Sequence, residues 1–145
     1  MDKSRLECIH KINYLTTEMN ALYHHASLKL GISDSISIVL YNIYDEGDEC
    51  LLSDIYKKSG INKQTINSAI RSLEKEGILY LTQHNGRAKN VILTDNGKKY
   101  VRQTVAKLYQ AEAKAFDSWS DDEISAYIGA MEKYSECFRR QIENI

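Results

Sequence analysis

A mainly α chain with one small β-hairpin is the fold class that this 145-residue sequence predicts. Three observations carry it. Apolar residues recur at steps of three and four over long stretches near both ends of the chain, the spacing of one helical face. The period drops to two only around Asn85-Gly86, the dipeptide suited to a tight hairpin turn. There is no proline anywhere, which suits uninterrupted helices.

Taken in order, residues 3–30 carry Leu6, Ile9, Ile12, Leu15, Met19, Leu22, Ala26 and Leu30 on one face, and Gly31 supplies a stop. Ser33 or Asp34 can cap a second helix through Tyr44, with Ile36, Val39, Leu40 and Ile43 inward. A polar turn, Asp45–Glu49, leads to the apolar stub Cys50-Leu51-Leu52, read as a short strand. Ser53 is placed to cap a short helix over 54–59, and Gly60 makes a turn. The next stretch, 61–77, is an amphipathic helix with a clean start and end. Asn62 is its N-cap, Ile61 and Ile66 have staple spacing, and Gly77 closes it. Ile66, Ile70 and Leu73 share the inner face. On the outer face Gln64, Ser68, Arg71 and Lys75 form a ridge without an apolar member, with Asn67 beside it. Amides and arginine can read base edges, and both cations can meet phosphate.

Two short helices across a tight glycine turn, followed by strands over 78–84 and 87–93, make a winged helix-turn-helix. A two-residue type I′ turn at Asn85-Gly86 is expected, with His84, Asn85, Arg87 and Lys89 near the tip, where they can enter a minor groove. Thr94 caps a further helix to about residue 117, with Val101, Val105, Leu108 and Phe116 inward. Ser120 and Glu123 form a capping box, flanked by Trp119 and Ile124 as a staple. The last helix carries Ile124, Tyr127, Ile128, Met131, Tyr134, Phe138 and Ile142 on one side. The outer helices are too apolar on one face to stand alone in water, and a second copy of the chain is the simplest cover. The organisation expected is therefore a winged helix-turn-helix over 33–94, flanked by long N- and C-terminal dimerisation helices over 1–32 and 95–145.

Charge agrees with a nucleic-acid partner. The net charge is −1, but between Ser53 and Arg102 ten Lys or Arg face four Asp or Glu. That segment is +6 and the remainder −7, a basic face on an acidic body. Three scattered cysteines, Cys8, Cys50 and Cys137, give neither a disulfide framework nor a zinc site, and no metal or cofactor is expected. The N-terminus lacks an apolar signal region and no run is long enough to span a membrane, so the chain is expected in the cytoplasm. There is no nucleophile elbow, phosphate loop or HExxH, so no enzyme is expected.

Residues 52–78, then Asn85 through Gly97, resemble the MarR family of bacterial transcriptional regulators. The motif that carries the likeness is Leu73-Glu74-x-x-Gly77-Ile78, followed by Arg87 ahead of Leu93-Thr94-x-x-Gly97. The resemblance implies a homodimer on a pseudo-palindromic operator in double-stranded DNA. It also implies a repressor released by a small aromatic or lipophilic effector. It puts Arg87 in the minor groove and the segment from Asn62 to Ser68 in the major groove. One departure is Asn85, where the family often has an aspartate that orients the wing arginine. The candidate DNA contacts are Ser53, Asn62, Lys63, Gln64, Thr65, Asn67, Ser68, Arg71, Lys75, Asn85, Arg87 and Lys89. The family's pockets lie between the dimerisation helices and the winged helix; His10, Tyr14, His24, His25, Tyr41 and Tyr44 are candidates to line one here. Cys8 invites comparison with the peroxide-sensing branch, with Tyr23 as a supporting tyrosine. Asp34 stands where a second tyrosine would be expected, and Cys8 is one residue out of phase. Two alternatives stay open: redox sensing through Cys8, and a winged-helix module that docks a protein and binds no DNA.

Overall fold

The structure, a computed structural model, describes residues 2–145 and divides into two compact units, Met1–Tyr109 and Gln110–Ile145. In the first, α1 (Lys3–Leu30) and α2 (Asp34–Asp45) precede a short strand, β1 (Glu49–Leu51). Next come α3 (Leu52–Ser59), α4 (Lys63–Lys75), and the hairpin of β2 (Leu79–Gln83) and β3 (Lys89–Leu93). Then α5 (Asp95–Gln103) and α6 (Val105–Ala115) carry the chain into the second unit, where α7 (Asp121–Ile142) is the principal helix. No helix among the described residues is long and apolar enough to cross a membrane.

The core sits where the sequence pattern puts it. Val39, Leu40 and Ile43 of α2, Ile55 of α3, and Ile66, Ile70 and Leu73 of α4 are buried against Leu79, Val91 and Leu93 of the sheet. Strand order is β1-β3-β2, all antiparallel, with Cys50 opposite Val91 and Leu81 opposite Val91 on the other side. The apolar stub before α3 is thus the third strand, which ties the start of the helix-turn-helix to the wing.

Helix ends follow local chemistry. Ser33 caps α2 by accepting from Ile36 N, and Asn62 caps α4 by accepting from Thr65 N at 2.9 Å. Gly31, Gly60 and Gly77 take left-handed backbone angles at the C-terminal ends of α1, α3 and α4. After α4, Ile78 N donates back to Leu73 O and Gly77 N to Glu74 O, so the last carbonyls are satisfied before the chain enters β2. The Ser120–Glu123 capping box has both of its bonds. The Ser120 backbone N–H first, and the Ser120 hydroxyl second, donate to the Glu123 carboxylate and hold it below the usual carboxylate range.

Three expectations need correction. Ser53 is not the cap of α3: the helix begins at Leu52, Leu51 takes the cap position, and no side chain caps it. The extended β1 runs straight into the helix, so β1 pairing and the helix start share a boundary. The helix expected from Thr94 to residue 117 is two helices. Thr104 adopts φ −120° and ψ −101° and its hydroxyl donates to Tyr100 O at 2.8 Å, offering the backbone an alternative to the helical bond. Phe116, read as inward, is exposed and sits edge-on to Trp119. Finally, the hairpin turn is not a two-residue Asn85-Gly86 turn. Gly86 has φ 58° but Asn85 does not have positive φ, and Ala88 N donates to Asn85 O. The centre of the turn is Gly86-Arg87, so the glycine occupies the first central position, as in a type II′ turn.

A docking contact explains the Leu93-Thr94-x-x-Gly97 string. Thr94 N donates to Ile78 O, Thr94 Oγ1 donates to Gly77 O at 2.6 Å, and the same oxygen accepts from Gly97 N. A Cβ on Gly97 would lie 1.9 Å from Ile78 O, so only glycine lets α5 sit against the chain leaving α4.

Candidate nucleic-acid interface

The α3–Gly60–α4 turn sets two helices against each other, and α4 turns its polar ridge outward. Lys63, Gln64, Thr65, Ser68, Arg71 and Lys75 are all exposed, while Ile66, Ala69, Ile70 and Leu73 are buried beneath them. Asn62 is exposed, and its carboxamide oxygen takes both the Thr65 backbone N–H and the Thr65 hydroxyl, at 2.9 and 3.0 Å. That pair therefore stabilises the helix start and leaves the Asn62 N–H groups facing solvent.

Across from α4 stands the wing. Gln83 Nε2 donates to Gly86 O and His84 N to Ala88 O, which braces the tip, and Asn85, Arg87 and Lys89 are exposed on it. Between wing, α3 and α4 lies an open groove of about 550 Å³. Its walls include Ser53 and Tyr56 from α3, Asn67, Arg71 and Glu74 from α4, and Arg87 and Lys89 from the wing. Five candidate contacts, Ser53, Asn67, Arg71, Arg87 and Lys89, thus meet at one concavity although the first and last are 36 positions apart in sequence (53 to 89). The remaining seven lie along the exposed face of α4, at its cap, or at the wing tip. Three cations around one groove suit an anionic strand, since they can meet successive phosphates. Glu74 on the same wall opposes anion binding and keeps the groove from being uniformly positive.

Two features of this surface are not visible in the sequence. Tyr56 reaches under α4: its hydroxyl donates to Asn67 Oδ1 at 2.5 Å, and the Lys63 ammonium sits 5.3 Å from its ring centroid. Arg71 Nε donates to Asn67 O at 3.3 Å, which draws the arginine stem along the helix. The only signal for Tyr56 is an aromatic residue on the helix that precedes α4, which any core-facing tyrosine would also give.

The residues proposed for an effector lie elsewhere. His10, Tyr14, His24 and His25 are exposed on α1. His24 Nδ1 is 2.8 Å from Asp34 Oδ2, which links α1 to the first turn of α2. Tyr41 and Tyr44 are half-buried on α2, with the Tyr109 ring 5.7 and 5.5 Å from theirs. Cys8 and Cys137 are exposed; Cys50 is buried in the core, and burial, helped by Asp54 and Glu49, pushes its thiol up to about 11. Among the described residues no group of His, Cys, Asp or Glu could hold a metal ion.

Residues 30–88 match the model of the MarR family. No curated protein matches the chain. Among solved structures, a MarR family regulator from Neisseria meningitidis is 19% identical with a TM-score of 0.76, the match covering 92% of this chain and 97% of that one. A MarR family transcriptional regulator from Streptomyces coelicolor, solved in complex with DNA, is 19% identical with a TM-score of 0.69, over 94% of this chain and 88% of that one. A third, from Bordetella bronchiseptica, whose DNA binding is regulated by 6-hydroxynicotinic acid, is 21% identical with a TM-score of 0.64, over 86% and 98%. The chain thus shares its fold with these structures, and the family match falls on residues 30–88.

Proposed function

From a segment that matches the MarR family and a fold shared with its members, we propose that this chain is a homodimeric, sequence-specific DNA-binding transcriptional regulator. Within it, residues 33–94 form the DNA-binding domain, and 1–32 with 95–145 the dimerisation region. The observation that carries the reading is the groove in which Arg71 of α4 meets Arg87 and Lys89 of the wing, beside the outer ridge of α4. An α-helix of this size fits a major groove, and a cationic tip fits the narrower minor groove beside it. The strand of phosphates between those grooves would then run along the concavity.

Pairing of two chains is supported by the apolar faces of the outer helices. On α1, Leu6, Ile9, Ile12, Leu15, Met19 and Leu22 are exposed; on α7, Ile128, Met131, Tyr134, Phe138 and Ile142 are exposed. A two-fold dimer covers such faces and sets two reading helices about one turn of DNA apart. Repression relieved by a small aromatic or lipophilic molecule completes the proposal. His10, Tyr14, His24, His25, Tyr41 and Tyr44 are the residues to probe first for that effector.

Selection of genomic fragments by the purified chain tests the reading. The expected outcome is a pseudo-palindromic site with half-sites one helical turn apart. Within that site Gln64→Ala lowers discrimination by roughly 1–3 kcal/mol at one base pair. Arg71→Ala weakens all sequences alike and reduces the salt slope by about one. Enrichment of no sequence over bulk DNA would leave the docking-module alternative in its place.

A further inference from the structure

We propose that Tyr56 is a specificity-determining residue: it holds the Asn67 side-chain carbonyl towards α3, so that Asn67 meets DNA through its amide donors. The proposal rests on the DNA-binding reading above and deepens it.

The geometry begins with the turn. Tyr56 lies on α3 and Asn67 one full turn into α4, and the turn at Gly60 brings the two together eleven residues apart in sequence. The Tyr56 hydroxyl donates to Asn67 Oδ1 at 2.5 Å. Both residues are half-buried, and both line the groove that faces Arg71, Arg87 and Lys89. A free asparagine on a reading helix pairs with adenine through two bonds, accepting from N6–H₂ at its carbonyl and donating to N7 from its amide. Here the acceptor half of that pair is already engaged and turned towards α3. Held in that orientation, the amide offers DNA its two Nδ2 donors, which suit a phosphate oxygen or any base acceptor and do not single out adenine.

The same ring acts on a second contact residue. Lys63 stands on the first turn of α4, where the helix dipole disfavours a cation. Its ammonium lies over the Tyr56 ring, 5.3 Å from the centroid, and a cation–π contact offsets that penalty. Lys63, Asn67 and Arg71 follow at steps of four, so they form one edge of α4, and Arg71 Nε donates to the Asn67 backbone carbonyl. One tyrosine on the preceding helix therefore holds two successive members of that edge, through its hydroxyl and its ring face separately.

The two roles can be parted. Tyr56→Phe removes the hydroxyl and keeps the ring under Lys63; Asn67→Ala removes the amide. Fragment selection followed by affinity titration is run on the wild type, both single variants and the double variant, with thermal unfolding to check the fold. The wild type is expected to show no adenine requirement at the base pair that Asn67 faces. Tyr56→Phe is expected to gain roughly a tenfold preference for adenine there, the size of a bidentate pair. In the Asn67→Ala background Tyr56→Phe changes that preference no further. A structural role alone would lower affinity on every sequence and leave the base preference as it was. Identical selected sites for the wild type and Tyr56→Phe would overturn the proposal. So would an adenine requirement already present in the wild type at that base pair. If Tyr56→Phe fails to fold, a wild-type adenine requirement that Asn67→Ala abolishes overturns the proposal, and its absence supports it. Failure of the wild type to select any sequence would instead overturn the DNA-binding reading, and this assignment with it.

Discussion

The 12 residues of α2 bury four side-chain positions, Ser37, Val39, Leu40 and Ile43, whereas the 28 residues of α1 bury only Ser27 and the 22 of α7 bury none. All three helices are amphipathic, so pattern alone does not separate them. The difference lies in what each apolar face meets. The face of α2 has α3, α4 and the sheet to pack on. The stripe of α1 stays exposed from Leu6 to Leu22, and only its C-terminal turn, at Ser27 and Leu30, is anchored on the core. A single chain thus completes its winged core and leaves its outer helices unfinished. Exposed apolar patches on that scale mark surfaces that another molecule covers.

Substitutions at matched leucines break that comparison most sharply. Leu73→Ala, in the core, is expected to cost about 2–5 kcal/mol by thermal or denaturant unfolding. Leu22→Ala, 58% exposed in the single chain, costs under about 0.5 kcal/mol if its face stays in water. If a second copy covers that face, Leu22→Ala lowers stability in a manner that depends on protein concentration. Met131→Glu on α7 should shift the sedimentation coefficient to that of a monomer.

A pair of glycines gives a smaller, signed contrast. Gly97→Ala forces a methyl group into Ile78 O and is expected to lose about 1–3 kcal/mol. Gly129, inside α7 and away from its apolar stripe, has open space around it, so Gly129→Ala should raise stability by roughly 0.5–1 kcal/mol through helix propensity. Melting temperatures moving in the same direction would contradict this placement of α5 and α7.

Thiol chemistry gives the mildest contrast. Cys8 and Cys137 are expected to react with a maleimide at once, and Cys50 only on unfolding. Because the folded state holds the Cys50 proton more tightly, with the thiol pushed from 9.0 up to about 11, its contribution to stability is complete below about pH 9. It is then lost as pH rises towards 11. Native labelling of Cys50 at neutral pH would contradict its burial.

Much of the winged core was legible because its signals are local. Asn62, Gly77 and the Ile66–Ile70–Leu73 stripe announce α4, and its boundaries match to within a residue or two. The basic excess between Ser53 and Arg102 pointed to the face where Arg71, Arg87 and Lys89 meet. What escaped the sequence is set by contacts between elements. The break at Thr104 has neither glycine nor proline to signal it and arises from a hydroxyl-to-carbonyl bond one turn back. The turn centred on Gly86-Arg87 depends on how β2 and β3 are registered, with Gln83 opposite Lys89. The pairing of β1 with β3, and the reach of Tyr56 to Asn67, join residues that no spacing rule connects.

The measurement that tests the central claim most directly is the salt dependence of affinity for one selected duplex, compared between the wild type and Arg87→Ala. If the wing arginine meets the DNA backbone or its narrow groove, the slope of log affinity against log salt falls by about 0.9, while dimer mass and melting temperature stay unchanged. An equal slope for both proteins would contradict the placement of the wing on DNA.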